Sequence, residues 1–304
     1  MDTKLLEKIT AVSKTQRYIC AQLDEDITLE ALAGAAGYSK YHVVRIFKEL
    51  TGRTPFEVIR AMRLTKAAQS LQKSEGKVVD VALSSGFDSH DGFTRAFHRQ
   101  FAITPQKYQQ KTPPVRWFVP YSIEAYYLTK EDAIPMPKEP ISRTMTVTAI
   151  ERPARKLILV RSVKATHYFE FCEEVGCEWE GLFNSIPEKF DTAALLTLPP
   201  NMIKPGTGNT ASGVEIPLDY NKPIPEGCDV IELAPCTLLY FNGASFADEQ
   251  DFGAAIGTLW GMMRDYDPTQ YGWQYASELA PYMNFGAPLT GAKMAQPVKP
   301  IMRS

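Results

Sequence analysis

In the first third of the chain, apolar positions recur with helical spacing and are interrupted by short polar turns. Leu29, Leu32 and Ala33 fall along one helix that Thr28 caps, and Gly37 supplies the positive φ for leaving it abruptly. Ser39 caps a second helix whose Val43, Ile46, Phe47 and Leu50 point toward a core. A long amphipathic helix over about 56–72 carries Ile59, Met62, Leu64, Ala67, Ala68 and Leu71. The pattern then returns. Val78, Val81 and Ala82 form a helix, Gly86 a turn, and Ser89 caps a helix with Phe93, Ala96, Phe97 and Phe101 inward.

The return is a true internal repeat. Ser39, Arg45, Phe47, Thr54 and Pro55 recur fifty residues later as Ser89, Arg95, Phe97, Thr104 and Pro105. Upstream, Ala33, Gly37 and Tyr38 return as Ala82, Gly86 and Phe87, with one extra residue, Asp88, before the second serine. Each copy is helix, tight turn, helix, with a small alanine where two crossing helices must approach closely. The pattern therefore predicts an all-α domain over 1–112 with two helix-turn-helix units.

Pro113-Pro114 ends the last helix, and Pro135, Pro137 and Pro140 mark a linker, so 113–143 is expected to be a linker or a docked segment. Within it, the aromatic-rich stretch 115–128 reads as a docked extended segment. From about Thr144 the pattern changes. Strands are expected near 146–150, 156–161, 193–198, 212–217, 229–233, 237–242, 282–285 and 293–298. Helical patterns occupy 167–186 and about 248–266. The order strand-strand-helix-strand-strand occurs twice, which predicts an α+β pseudo-duplicated domain over 144–304.

Charge separates these parts. The 304 residues carry a net −2, but 1–112 holds 17 Lys and Arg against 12 Asp and Glu, a net +5. The remainder is therefore −7, so a polyanionic partner would meet only the first part. No apolar run approaches the roughly 20 residues that a membrane-spanning helix needs, and the N-terminus lacks the layout of a signal peptide. The five cysteines are odd in number and scattered, as a reducing compartment tolerates, so a cytoplasmic location without a membrane partner is expected. Cys172 and Cys177 lack a CxxC spacing or a neighbouring His, so they read as buried thiols; no metal and no cofactor are expected.

The segment 29–51 and the run Val79-Asp80-Val81-Ala82, Gly86-Phe87, Phe93-Thr94-Arg95-Ala96-Phe97, Phe101, Thr104-Pro105 and Tyr108 resemble the AraC-family DNA-binding domain. The resemblance covers about 5–112, with Ala102 where that family usually has glycine. It implies double-stranded DNA as partner, with the helices opening at Ser39 and Ser89 entering successive major grooves about 34 Å apart. On the first helix Tyr41, Val44 and Arg45 are the expected base-facing positions, with Arg45 suited to guanine and the other two to a thymine methyl. On the second these are His90, Asp91 and Arg95, with Asp91 suited to a cytosine amino group. Lys40, Lys48, Lys107 and the hydroxyls of Ser39, Ser89 and Thr94 are expected on the phosphate backbone. Phe47 and Phe97 read as core, and His42 as a local packing residue.

The second part resembles the GyrI-like effector-binding domain over about 144–304. The motifs are Tyr168-Phe169, Gly176-Cys177-Glu178-Trp179-Glu180-Gly181-Leu182-Phe183, Gly213-Val214-Glu215-Ile216-Pro217, Ile224-Pro225-Glu226-Gly227, Pro281-Tyr282-Met283 and Gln296-Pro297-Val298. Met294 stands where an acidic residue is frequent in that family. The resemblance implies a small-molecule effector, aromatic or cationic, held by aromatic walls and a carboxylate. The implied walls are Tyr168, Trp179, Phe183, Tyr240, Trp260 and Tyr282, with Glu215 as counter-charge. For such a regulator the resemblance also implies RNA polymerase as a candidate further partner. Two alternatives stay open for this part, a small-molecule hydrolase and a protein-docking module. The chain has no GxSxG elbow and no HExxH motif, so no catalytic residue is assigned.

Overall fold

The computed structural model describes residues 2–73, 76–130, 141–246 and 251–301. Two compact units emerge, Met1–Ala133 and Ile134–Ser304, each with its own cores. The first is helical: α1 (Thr3–Ala21), α2 (Leu29–Ala36), α3 (Lys40–Thr51), α4 (Pro55–Gln72), α5 (Val78–Ser84), α6 (His90–Phe101), α7 (Pro105–Lys111) and α8 (Ile123–Lys130).

Short polar side chains start these helices. The hydroxyls of Thr28, Ser39, Ser89 and Thr104 accept from the backbone N–H of Ala31, His42, Gly92 and Lys107 respectively. Thr54 and Glu57 form a reciprocal capping box at the start of α4, and its bonds hold the Glu57 carboxyl below the usual range. The unit has two cores. One gathers Val12, Leu32, Val43, Ile46, Phe47 and Ile59, the other Leu64, Leu71, Val81, Phe93, Phe97 and Tyr108. Helix α4 serves both, because Val58 and Ile59 face the first while Leu64, Ala67, Ala68 and Leu71 face the second. It thereby ties the two copies of the repeat together.

Sequence pattern alone left three of these helices unread. Helix α1 buries Ile9, Val12 and Ile19 into the first core, and α7 buries Tyr108 into the second. The stretch expected to be extended is so only as far as Ser122. Val115 and Trp117 fill the second core, and Ser122 then caps α8, whose Ile123 enters the first core. The linker prolines Pro135, Pro137 and Pro140 lie outside the described residues.

The second unit contains, among the described residues, β1 (Met145–Arg152), β2 (Arg155–Arg161), α9 (Tyr168–Val175), α10 (Trp179–Asn184), β3 (Ala194–Thr197), β4 (Thr210–Pro217), β5 (Asp229–Leu233), β6 (Cys236–Gly243), α11 (Phe252–Met263), β7 (Trp273–Tyr275), β8 (Tyr282–Ala287) and β9 (Gly291–Pro300). The helical stretch foreseen over 167–186 is broken at Gly176, whose φ of 93° no helix admits. The foreseen start of α11 near Asp248 lies outside the described residues, and β7 was not foreseen.

All pairings among the described residues are antiparallel, in the order β1-β6-β9-β8-β3-β4-β2-β5, with β7 added on β9. Read from the middle outward, β3-β4-β2-β5 mirrors β8-β9-β6-β1, and the first strand of each half lies on the other half. Register fixes the two faces. Leu157, Leu196, Tyr240, Met283, Phe285 and Ala295 share one face. Val214, Ile158, Leu239, Phe241 and Met294 lie on the other, under α9, α10 and α11. The helix-free face is also buried, because the sheet curls around it. Arg152 on β1 comes within 4.0 Å of Glu215 on β4, although four strands lie between them in the strand order.

Candidate nucleic-acid interface

The offset of fifty residues holds in three dimensions. Helices α3 and α6 each have 12 residues, each begins at a serine cap, and each ends in a left-handed residue, Gly52 or Ala102. Before each lies a turn with a positive-φ glycine, Gly37 at 71° and Gly86 at 73°. Apolar pairs Val43 and Phe93, and Phe47 and Phe97, face inward with no exposure. The opposite faces carry the exposed residues Tyr41, Arg45, His90, Asp91 and Arg95.

On α3, Tyr41 is 83% exposed. Arg45 is exposed beside it, with its guanidinium 3.2 Å from Nδ1 of His42. His42 in turn packs against the ring of Tyr38, so it braces Arg45 from the helix side. Val44 departs from expectation. It is half-buried and packs against the first core, leaving only part of its surface outward.

On α6, Arg95 is exposed at the position of Arg45, and His90 and Asp91 are exposed in the first turn, 3.7 Å apart. The Asp91 carboxylate also suits the positive end of the helix dipole there. Thr94 corrects the expectation of a phosphate contact. Its hydroxyl is buried without a hydrogen-bond partner among the described residues, because Thr94 occupies the inward position that Val44 holds on α3. Ser39 and Ser89 have their oxygens occupied as caps but keep exposed O–H donors. Lys48 and Lys107 are exposed. Lys40 is ion-paired with Glu30 on α2, so a phosphate would have to compete for it.

The seven residues expected around an effector do not converge. Tyr168 on α9 and Trp179 and Phe183 on α10 belong to the core between those helices and the outer face, with Trp179 and Phe183 buried. Trp260 and Tyr282 belong to the α11 side of the same face. The Trp260 indole, half-exposed, donates to Asn284 at 3.3 Å, and the Tyr282 hydroxyl donates to the Met294 sulfur at 2.7 Å. Glu215 and Tyr240 point to the opposite, enclosed face. Strand alternation is the reason: Val214 and Ile216 take the helix side, which sends Glu215 the other way.

There Glu215 is not a vacant counter-charge. Arg155, with no exposure, ion-pairs with it at 2.7 Å, and Arg152 stands 4.0 Å away. Arg152 also donates to Asp191 at 2.6 Å and to Tyr240 at 2.5 Å, while Tyr240 donates to Asp191 at 2.7 Å. Burial and the neighbouring Asp191 carboxylate push the Tyr240 phenol well above its ordinary value. Sequence reasoning missed Arg152, Arg155 and Asp191, which sit far from Glu215 and Tyr240 along the chain. Beside this network a cleft of about 310 Å³ opens, with Phe190, Asp191, Phe285 and Lys293 in its wall. Among the described residues no group of three or more metal-ligating side chains occurs, and no helix is long and apolar enough to cross a membrane.

A family model described as a helix-turn-helix domain matches residues 32–111. The chain is 40% identical over 118 residues to the right origin-binding protein of Escherichia coli (strain K12), covering 36% of this chain and 41% of that protein. It is 43% identical over 89 residues to the probable transcription factor PqrA of Proteus vulgaris, covering 29% of this chain and 73% of that protein. It is 34% identical over 94 residues to the regulatory protein SoxS of Escherichia coli (strain K12), covering 31% of this chain and 88% of that protein. The match thus spans about two fifths of the length of the first relative and most of the other two.

Proposed function

Because the chain belongs to the AraC family of transcriptional regulators, we propose that it binds double-stranded DNA sequence-specifically and regulates transcription. The observation that carries this is the duplicated reading surface, Arg45 and Arg95 exposed at equivalent points of α3 and α6. One chain then reads two successive major grooves, about 34 Å apart along the duplex. The two half-sites differ, since Tyr41 faces one groove and His90 with Asp91 the other. Ser39, Ser89, Lys48 and Lys107 hold phosphates, which sets register without specifying sequence. Selection of bound duplexes from random oligonucleotides tests this: an asymmetric bipartite site is expected, and no enrichment refutes it.

The second unit we read as a GyrI-like sensor of a small molecule, with RNA polymerase engaged through the resulting complex. Its support is the doubled strand-strand-helix-strand-strand order together with the cleft beside Asp191. A ligand acts on transcription only if it binds the DNA-competent and incompetent states with different affinity. Titration of candidate ligands into the full chain, with and without the selected duplex, measures that difference. Ligands that bind yet leave operator affinity and transcription unchanged would remove sensing from the role.

A further inference from the structure

Helix α4 and the second reading helix bound a cleft of about 420 Å³ within the first unit. Phe56, Arg60 and Arg63 line it from α4, and Gly92, Arg95 and Arg99 from α6. The spacings of three and four residues put each set on one helix face. Four guanidinium groups thus border one space, and among the described residues the only carboxylate in its lining is that of Asp88.

Arg63 is engaged within the fold. It donates to the carbonyls of Leu23 at 3.0 Å and Glu25 at 2.6 Å. Arg60, Arg95 and Arg99 are exposed and make no hydrogen bond or ion pair among the described residues. Arg99, in the last turn of α6, suits the negative end of that helix dipole. The dipole gives no reason for Arg60, on another helix at the same cleft. Four like charges against one carboxylate lower the potential energy of an arriving anion instead.

We infer that this cleft receives a phosphodiester of the DNA backbone where it crosses between the two major grooves, with Arg60 and Arg99 as its ligands. The inference rests on the DNA-binding role proposed above. Arg95 belongs both to the cleft and to the reading face of α6, so a duplex engaged by α6 passes the cleft's edge. Helix α4 joins the two reading units, so the strand between the grooves passes alongside it. Phosphate contacts of this kind add affinity in a salt-dependent, sequence-independent way.

The test uses the full chain and a duplex recovered by selection, with affinity measured by fluorescence anisotropy over a series of salt concentrations. Arg60→Ala and Arg99→Ala should each flatten the slope of log K against log salt by about 0.9, which is about eight-fold in affinity at ~0.1 M salt. The loss should be equal on the selected and an unrelated duplex, and Arg60→Lys should retain the slope. Thermal melts of the variants separate a folding defect from a lost contact, and both arginines are exposed. Unchanged slopes with intact wild-type binding overturn the cleft assignment alone, as does a loss confined to one sequence. Loss of transcription at unchanged DNA affinity also overturns it, in favour of a protein partner at this surface. A wild-type chain that binds no duplex removes the DNA-binding role itself.

Discussion

Ala102 closes α6 in the left-handed conformation at φ 56°, where its repeat partner Gly52 closes α3 at φ 74°. A Cβ in that region meets the following carbonyl oxygen and costs about 1–2 kcal/mol. Glycine removes that cost but brings about 0.5–1 kcal/mol of additional backbone entropy to lose on folding. Ala102 is exposed, so its methyl contributes no burial, and its N–H bond to the His98 carbonyl at 2.8 Å survives the change. Ala102→Gly should therefore stabilise the helical unit by about 0.5–1 kcal/mol. Gly52→Ala should destabilise it by a similar amount. Urea unfolding of the full chain, followed by circular dichroism at 222 nm, reads the helical unit preferentially. With a slope of about 2 kcal/mol/M, the midpoint should rise by about 0.3–0.5 M for the first variant and fall as much for the second. A midpoint that is unchanged or lower in Ala102→Gly would show that no strain is stored at this cap.

Three further outcomes follow from the same geometry. Arg45→Ala and Arg95→Ala should each cost about 1–3 kcal/mol in operator affinity and relax base preference at one half-site, measured by repeating the duplex selection; uniform loss on all sequences would make them phosphate contacts. In the second unit, Arg155→Met or Glu215→Leu alone strands a buried charge and should destabilise by about 3–5 kcal/mol, whereas the double variant should lie near wild type in denaturant unfolding. Burial pushes the Tyr108 phenol up to about 12 from an ordinary value near 10, so its folded form holds the proton more tightly than the unfolded chain. That stability is complete below about pH 10 and is lost as pH rises through about 12, in total about 2–3 kcal/mol; in Tyr108→Phe this part of the alkaline decline should disappear.

The repeat was legible because both copies keep caps, turns and inward aromatics at a constant offset. It also misled at one position. Thr94 is polar and so reads as outward, but its partner Val44 marks that site as half-inward in both helices. The apolar member of a repeated pair is the better guide to where the position points. Helices α1 and α8 have no repeat partner, and α8 depends on a cap at Ser122 after an extended stretch. In the second unit, period-two alternation located most strands but not which strands would meet. Glu215 and Arg155 are brought together by β2–β4 pairing and by enclosure of one sheet face. A carboxylate whose neutralising partner lies sixty residues away cannot be distinguished, in sequence, from one awaiting a ligand.

That enclosure has a structural cause in the strand order. β1 pairs along its whole length with β6, from Met145 opposite Gly243 to Arg152 opposite Cys236. β5 pairs with β2, from Asp229 opposite Leu159 to Leu233 opposite Arg155. Each half of the duplicated sheet thus lends its first strand to the other, and neither half alone supplies both neighbours of its second strand. Arg152 and Arg155 flank the turn between a lent strand and a retained one. Their ion pairs and hydrogen bonds reach Glu215 and Asp191 in one half and Tyr240, Ala234 and Cys236 in the other. The Asp191 carboxylate at the cleft is likewise held from both sides, by Arg152 on a strand lent to the second half and by Tyr240 of that half.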